Sequence, residues 1–428
     1  MKKRVVITGL GIAAPNGVGI PDFLDAIRRG RSGIKFFPKL KELNFSCQIG
    51  AMPDISEEKK REYFTELELR NFNSNGILYG VIAGMDAFND AGIDLPITAG
   101  TAMTDEPDWG LGVVFGTGTS GVDKFREAIY KLDDGKVRRL GSTTVGQTMM
   151  SGVSAYLGGK IGAGNQVTTN SSACASGTEA VLMGYEQIMT GKAEQMLCGS
   201  CSDDGPYVWG GFDAMKVTTF KHNETPSKSS RPMSATASGF VPGSGAGAVL
   251  LESLDNALAR GATIYAEVLG GHINSGGQRQ GGSMTAPNST AVQKCIIEAL
   301  KDSDVSPVEI DYINGHLTAT IKDPVEIENW CAALDRRGAE FPYINSLKSM
   351  TGHGLAASGS MEIVSALLQL HHDFVFPNIN CEDVHPEIVK LIDPKKIPQR
   401  ELNVPLKTIA KASFGFGDVN ACVIFRKI

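Results

Sequence analysis

Ser171-Ser172-Ala173-Cys174-Ala175-Ser176-Gly177 opens a small-residue helical pattern reaching about Thr190, and Thr351-Gly352-His353 with Ala357-Ser358-Gly359 opens another reaching about His371. Both are turns from a strand-like stretch into a helix that begins with small residues. The offset from Cys174 or His353 to the following Ser-Gly differs, so the echo alone is slight ground for a duplicated fold. No low-complexity linker separates the two regions, which reads as one body.

Outward from these turns, short apolar runs alternate with longer helical patterns, the rhythm of an α/β fold. The clearest strands fall at residues 5–8, 111–115, 166–170, 246–251, 265–269, 310–313 and 409–413. Val292, Cys295, Ile296 and Leu300 share one helical face. Helices packed on sheets are the expected architecture.

Composition excludes several classes. Forty-one Lys and Arg against forty-seven Asp and Glu, with no long basic run, lack the footprint of a nucleic-acid binder. Eight scattered cysteines read as reduced thiols rather than a disulfide framework. Lys2-Lys3-Arg4 before an apolar run imitates a signal peptide, but Gly9, Gly11 and Pro15 interrupt it and favour a strand and turn. No apolar run of 18 residues exists to span a membrane, so the cytoplasm is the expected location.

Cys174 stands just before a helical segment, where free N–H groups and the helix dipole are expected to favour a thiolate. A nucleophile is made this way; a buried structural cysteine is the competing reading of the position alone. His316 and His353 each follow an apolar strand, in the strand-end loops where α/β proteins assemble sites. A thiolate and two imidazoles form a more specific set than any one of them. Lys348 and Glu362 read either as an ion pair orienting the second histidine or as two solvated surface charges. Ser413-Phe414-Gly415-Phe416-Gly417-Asp418 reads as a loop able to offer an N–H to an oxyanion and swing a ring across a pocket, or as a plain turn.

Three patterns are weighed down. Gly9-Leu10-Gly11 follows a strand like a dinucleotide fingerprint, but Pro15 falls where the helix should continue. Cys198 and Cys201 lack a second ligand pair for zinc. His371-His372 reads as favourable charge at a helix C-terminus.

With these motifs the chain resembles the elongating β-ketoacyl-[acyl-carrier-protein] synthases of the thiolase superfamily, from Val5 to Phe425. Ala173 to Gly177 matches the nucleophile motif, Asn314-Gly315-His316 with Thr318 and Thr320 the first histidine motif, and Lys348 to His353 the second. Residues 413–417 match the family's gating loop.

The resemblance implies a thiolase-like duplicated fold layered α-β-α-β-α, divided here as residues 1–255 and 256–428, in a homodimer. It implies decarboxylative Claisen condensation on an acyl carrier protein, with substrates carried on phosphopantetheine and neither cofactor nor metal. Cys174 would carry the acyl group, His316 and His353 would assist decarboxylation, and the N–H groups of Cys174 and Phe414 would form an oxyanion hole. Thr318 and Thr320 would touch pantetheine, Lys348 with Glu362 would hold the second histidine, and Asp323 with Glu326 would support the first. Thr119, Phe212, Phe414 and Phe416 would lie at the acyl pocket and gate.

Several positions depart from the family pattern. The stretch from Arg231 to Val241 lacks its charged residues, Leu317 and Ala319 stand where glycines are usual, Asp418 replaces another glycine, and of the basic carrier-docking helix only Arg70 is present. These point to a specialised synthase for a polyketide or polyene. A non-catalytic chain-length partner and a thiolase, with Cys422 as second cysteine, are the rival readings.

Overall fold

A computed structural model describes residues 2–93 and 106–428. Strand β1 (Val5–Ala14) is buried along all ten residues, as a near-continuous apolar run covered on both faces should be. Its glycines explain the false dinucleotide signal. Helix α1 (Asn75–Asp90) crosses so closely that a Cβ at Gly9 would collide with the Ala87 carbonyl, and one at Gly11 with that of Ala83. Gly11→Val is expected to destabilise the protein by about 1–3 kcal/mol, the usual cost of overpacking, read as a lower denaturant midpoint. An unchanged midpoint would contradict the close approach.

The main sheet continues with β2 (Leu111–Thr117), β3 (Val167–Thr168), β4 (Gln195–Ser202), β5 (Gly245–Ser253) and β6 (Ala266–Ser275). It ends with β7 (Tyr312–Asn314), β8 (Tyr343–Asn345), β9 (Thr408–Gly415) and β10 (Val419–Arg426). The order is β8-β7-β9-β10-β6-β1-β5-β4-β2-β3. From the centre outward, each half therefore runs first, fifth, fourth, second, third. The directions repeat as well: in both halves the second strand is parallel to the third and fourth, and the fifth is antiparallel to the fourth and first. The duplication, slight in the sequence, is plain in the topology. The halves join where Val5 pairs antiparallel with Val268 and Ile7 with Ala266.

Further helices of the layers include α2 (Gly152–Ile161), α3 (Ser176–Met189), α4 (Pro206–Ala214), α5 (Ser289–Asp302), α6 (Asp323–Leu334) and α7 (Ser358–His372). Side chains alternate along the strands and so assign the faces. Val113, Phe115, Ala248 and Leu250 join α1 and α2 in one core, while Ala410, Ala412, Cys422 and Ile424 join α5 and α6 in another. Their neighbours Val114, Val249, Leu251, Ile409, Val423 and Phe425 point the other way, into a central core shared with α3 and α7. The result is the α-β-α-β-α layering of the thiolase fold.

The opening echo marks where the central helices cross. A Cβ on Gly177 would collide with the Ser360 nitrogen, and one on Gly359 would lie 2.7 Å from that of Thr178. Around the crossing, Thr178 of α3 bonds Ser413 of β9 at 2.9 Å, and Ser360 of α7 bonds Ser200 of β4 at 2.7 Å. Each central helix thus reaches the fourth strand of the opposite half. Every residue of α7 from Ser358 to Leu370 is buried.

Some elements differ from expectation. β1 runs on to Ala14 instead of stopping near Thr8, since β5 pairs with it as far as Ala13. β3 keeps only Val167–Thr168, at the sheet edge. Cys198 and Cys201 are free and buried in β4, and His371 and His372 occupy the last turn of α7. Among the described residues no helix is long and apolar enough to cross a membrane.

Candidate active site

The polypeptide turns sharply at Cys174. Ala173 has a positive φ of 47°, and Ala173–Ala175 form a single tight turn before α3. Ser176 secures that turn: its Oγ accepts from the Ser172 N–H at 2.9 Å and donates to the Ala173 carbonyl at 2.7 Å. His316 follows β7, and His353 follows β8 and the short helix Lys348–Thr351. The Cys174 sulfur and one ring nitrogen from each histidine all lie within 4.8 Å of one another. The imidazole centroids are 5.5 Å apart and nearly perpendicular.

Burial pushes the Cys174 thiol up to about 11, against smaller lowering by the Lys348 charge and a main-chain hydrogen bond from Phe416. The expected thiolate at a helix start is therefore outweighed by desolvation. Since a raised pKa keeps the thiolate fraction climbing through neutrality, alkylation of Cys174 by iodoacetamide should rise about tenfold per pH unit from 7 to 9. A plateau below pH 8 would contradict this. Phe416, not Phe414, supplies the N–H that reaches the sulfur; Phe414 sets its ring 6.0 Å from that of His316.

Both imidazoles are held well below their ordinary range, first by burial and then by the positive charges of Lys348 and Lys411. They are neutral at physiological pH. On His353, Nδ1 accepts from the Leu355 N–H at 3.3 Å and meets the Ser358 hydroxyl at 2.8 Å. That fixes the proton on Nε2, leaving a donor for the pocket. Cysteine and two histidines are also a donor set of zinc type, but the nearby ammonium groups act against a cation.

Lys348 and Glu362 are no surface pair. Both are about 1% exposed and in direct contact, and Lys411, fully buried, reaches the other Glu362 oxygen at 2.8 Å. Lys348 also donates to the main-chain carbonyl of His316 at 2.6 Å. It thus grips the first histidine's loop, while Ser358 and Leu355 hold the second ring. Nothing in the sequence singled out Lys411, which reads as one polar residue in an apolar strand.

The loop after His316 is held by carboxylates at the start of α6. Glu326 accepts from the His316 and Leu317 N–H groups, both at 2.7 Å, and Asp323 from Thr318 at 3.0 Å and Ala319 at 3.1 Å. Burial raises Glu326 to about 7 and Asp323 to about 6. Leu317 and Ala319 have φ of 22° and 62°, so they keep the left-handed backbone that glycine would favour. Strain of this kind persists only where its surroundings over-determine it, here through two acidic clamps.

A cavity of about 420 Å³ leads to the three reactive groups. Thr318, Thr320, Phe414 and Phe416 line it, as do Phe240 and residues 285–287, which no sequence signal marked. Phe212 lies behind the wall, its ring packed on Phe240 and Phe416. Thr119 is exposed and does not line the cavity.

A buried cysteine at a helix start, two neutral imidazoles and an adjoining cavity on a thiolase fold define a carbon–carbon condensing acyltransferase. Residues 2–257 match the family model "Beta-ketoacyl synthase, N-terminal domain" and residues 265–382 the "C-terminal domain" model. The chain is 33% identical over 431 residues to 3-oxoacyl-[acyl-carrier-protein] synthase 1 of Haemophilus influenzae, covering 99% of each. Among solved structures it resembles the ishigamide ketosynthase/chain length factor, with TM-score 0.87, 25% identity and all of both chains covered. It also resembles a type II polyketide synthase ketosynthase solved in complex with its acyl-carrier protein and bound to a hexaketide, with TM-score 0.84, 27% identity and full coverage of both. The chain belongs to the beta-ketoacyl synthase family.

Proposed function

We propose that the protein is a β-ketoacyl-[acyl-carrier-protein] synthase working by decarboxylative Claisen condensation. The convergence of Cys174, His316 and His353 carries the reading. An acyl group passes from a carrier's pantetheine sulfur to Cys174, and the thiol proton leaves with the freed pantetheine. A malonyl thioester then enters past Thr318 and Thr320. The His353 Nε2–H and the neutral His316 ring bind its carbonyl oxygen, so the electrons released with carbon dioxide collect on an enolate held by hydrogen bonds. The enolate carbon attacks the acyl thioester, and main-chain N–H groups of Cys174 and Phe416 face the developing oxyanion. That attack forms the new carbon–carbon bond; collapse of the tetrahedral intermediate re-forms the carbonyl, breaks the bond to the Cys174 sulfur, and the released thiolate takes up a proton.

Lys348, Glu362, Asp323 and Glu326 act here as positioning residues, Phe414 and Phe416 as the gate, and Phe212 as its backing. Exposed Phe125, Ile129 and Leu132 on helix Val122–Asp133, exposed Val145 and Met149 on or just after the helix Thr144–Thr148 that packs against it, and the open sheet edge at the exposed Val167 support a dimer. We read the two halves as residues 1–255 and 256–428, the location as cytoplasmic, and the substrates as carrier-bound without a further cofactor. The left-handed Leu317 and Ala319 and the altered stretch from Arg231 to Val241 support a specialised polyketide or polyene role.

The test is to offer malonyl-loaded carrier with acyl primers of graded length and weigh the products. Condensation by the purified protein alone is expected, and it separates this reading from that of a non-catalytic chain-length partner. Acetyl exchange without malonyl thioester would instead favour a thiolase. Cys422 speaks against that rival, being fully buried in β10, outside the cavity and raised to about 12 by burial.

A further inference from the structure

Asp418 ends the gating loop in a left-handed conformation, φ 63°, yet its side chain is only 1% exposed. Its carboxylate turns towards the segment 276–288, which links β6 to α5. There Oδ1 accepts from the Asn288 N–H at 2.8 Å and Oδ2 from the Gln278 N–H at 2.9 Å. Two main-chain bonds reinforce the contact: the Gly276 N–H donates to the Asp418 carbonyl, and the Gly417 N–H to that of Met284, each at 2.9 Å.

The segment is shaped for this carboxylate. A Cβ on Gly276 or Gly282 would collide with Oδ2. Gln278 and Gln280 both take φ of 52°, a conformation that must be held from outside. The far end is anchored, because Asn288 caps α5 with its own side chain. Between the fixed points, residues 285–287 form a wall of the same cavity that Phe414 and Phe416 line. A glycine at position 418 would leave the gate free to move without this wall.

We infer that Asp418 is a positioning and specificity residue that latches the gating loop to residues 276–288, so that gate and wall move together and limit the length of the acyl group admitted to Cys174. The inference rests on the ketosynthase reading of the site. It does not make Asp418 a catalytic residue, since the carboxylate touches only main chain.

The experiment compares acylation of Cys174 by acyl-pantetheine thioesters of graded length, read by intact mass, in the parent, Asp418→Gly and Gly282→Ala. Gly282→Ala attacks the latch from the other side. Both variants should raise the rate with long donors relative to short ones by about tenfold, the scale of discrimination by apolar pockets. Asp418→Asn, which presents an amide NH2 to one of the two donors, should fall between. Hydrogen exchange should quicken in 276–288 and 414–418 together and nowhere else. A folded Asp418→Gly protein with the parental length profile, or exchange rising in one segment alone, overturns the latch. Should the parent take up no acyl group from any donor, the ketosynthase reading fails, and the exchange measurement still decides whether the two segments are coupled.

Discussion

Replacing Cys174 with alanine is expected to abolish condensation, by about 10⁴-fold or more, the scale seen when a covalent nucleophile is deleted. No other thiol can substitute. The remaining seven cysteines are all buried, and none lines the cavity. Decarboxylation of malonyl thioester should persist in the same variant, because the groups proposed to hold the enolate oxygen, His316 and His353, are untouched. Product mass and released carbon dioxide measured side by side separate the two steps. A Cys174→Ala protein that still lengthens an acyl chain would remove the central assignment.

The second large effect is expected at Glu362. Its carboxylate stands between the ammonium groups of Lys348 and Lys411, all three about 1% exposed or less. Glu362→Gln leaves two buried cations without their shared counter-ion, which typically costs about 3–5 kcal/mol. Lys348→Met should be gentler on stability, since one carboxylate then still faces one ammonium. Activity should nevertheless fall in that variant, because the His316 carbonyl loses its donor. Denaturant midpoints should therefore rank parent, Lys348→Met, Glu362→Gln, while both variants are impaired in condensation. A Glu362→Gln protein as stable as the parent would mean that the triad carries no net charge to balance.

The reactive trio was legible because each member follows a strand and sits among small or hydroxyl residues, a local signature. What held those residues was not legible. Lys411 lies in an apolar strand and meets Glu362 only because β9 passes under α7, a contact between positions 49 residues apart that no spacing rule encodes. The raised thiol of Cys174 was missed for a related reason: the favourable helix start is local, whereas the desolvation that outweighs it comes from the whole fold. Gly9 and Gly11 misled in the opposite sense. Glycine there answers to a helix crossing overhead, and the sequence cannot say whether a backbone or a phosphate needs the room. The duplication was faint because its visible remnant is a Ser-Gly pair at each helix start, and the rest resides in strand order and direction.

The exchange of hydrogen bonds at the crossing helices, Thr178 to Ser413 and Ser360 to Ser200, bears on how the molecule comes into being. Strands β1 to β5 are synthesised first, but the helix that seals part of their inner face spans Ser358–His372 and emerges from the ribosome much later. Until then the nascent chain carries a bare apolar layer of the kind that recruits chaperones or aggregates. Truncation anywhere before α7 should therefore yield insoluble polypeptide rather than a working fragment.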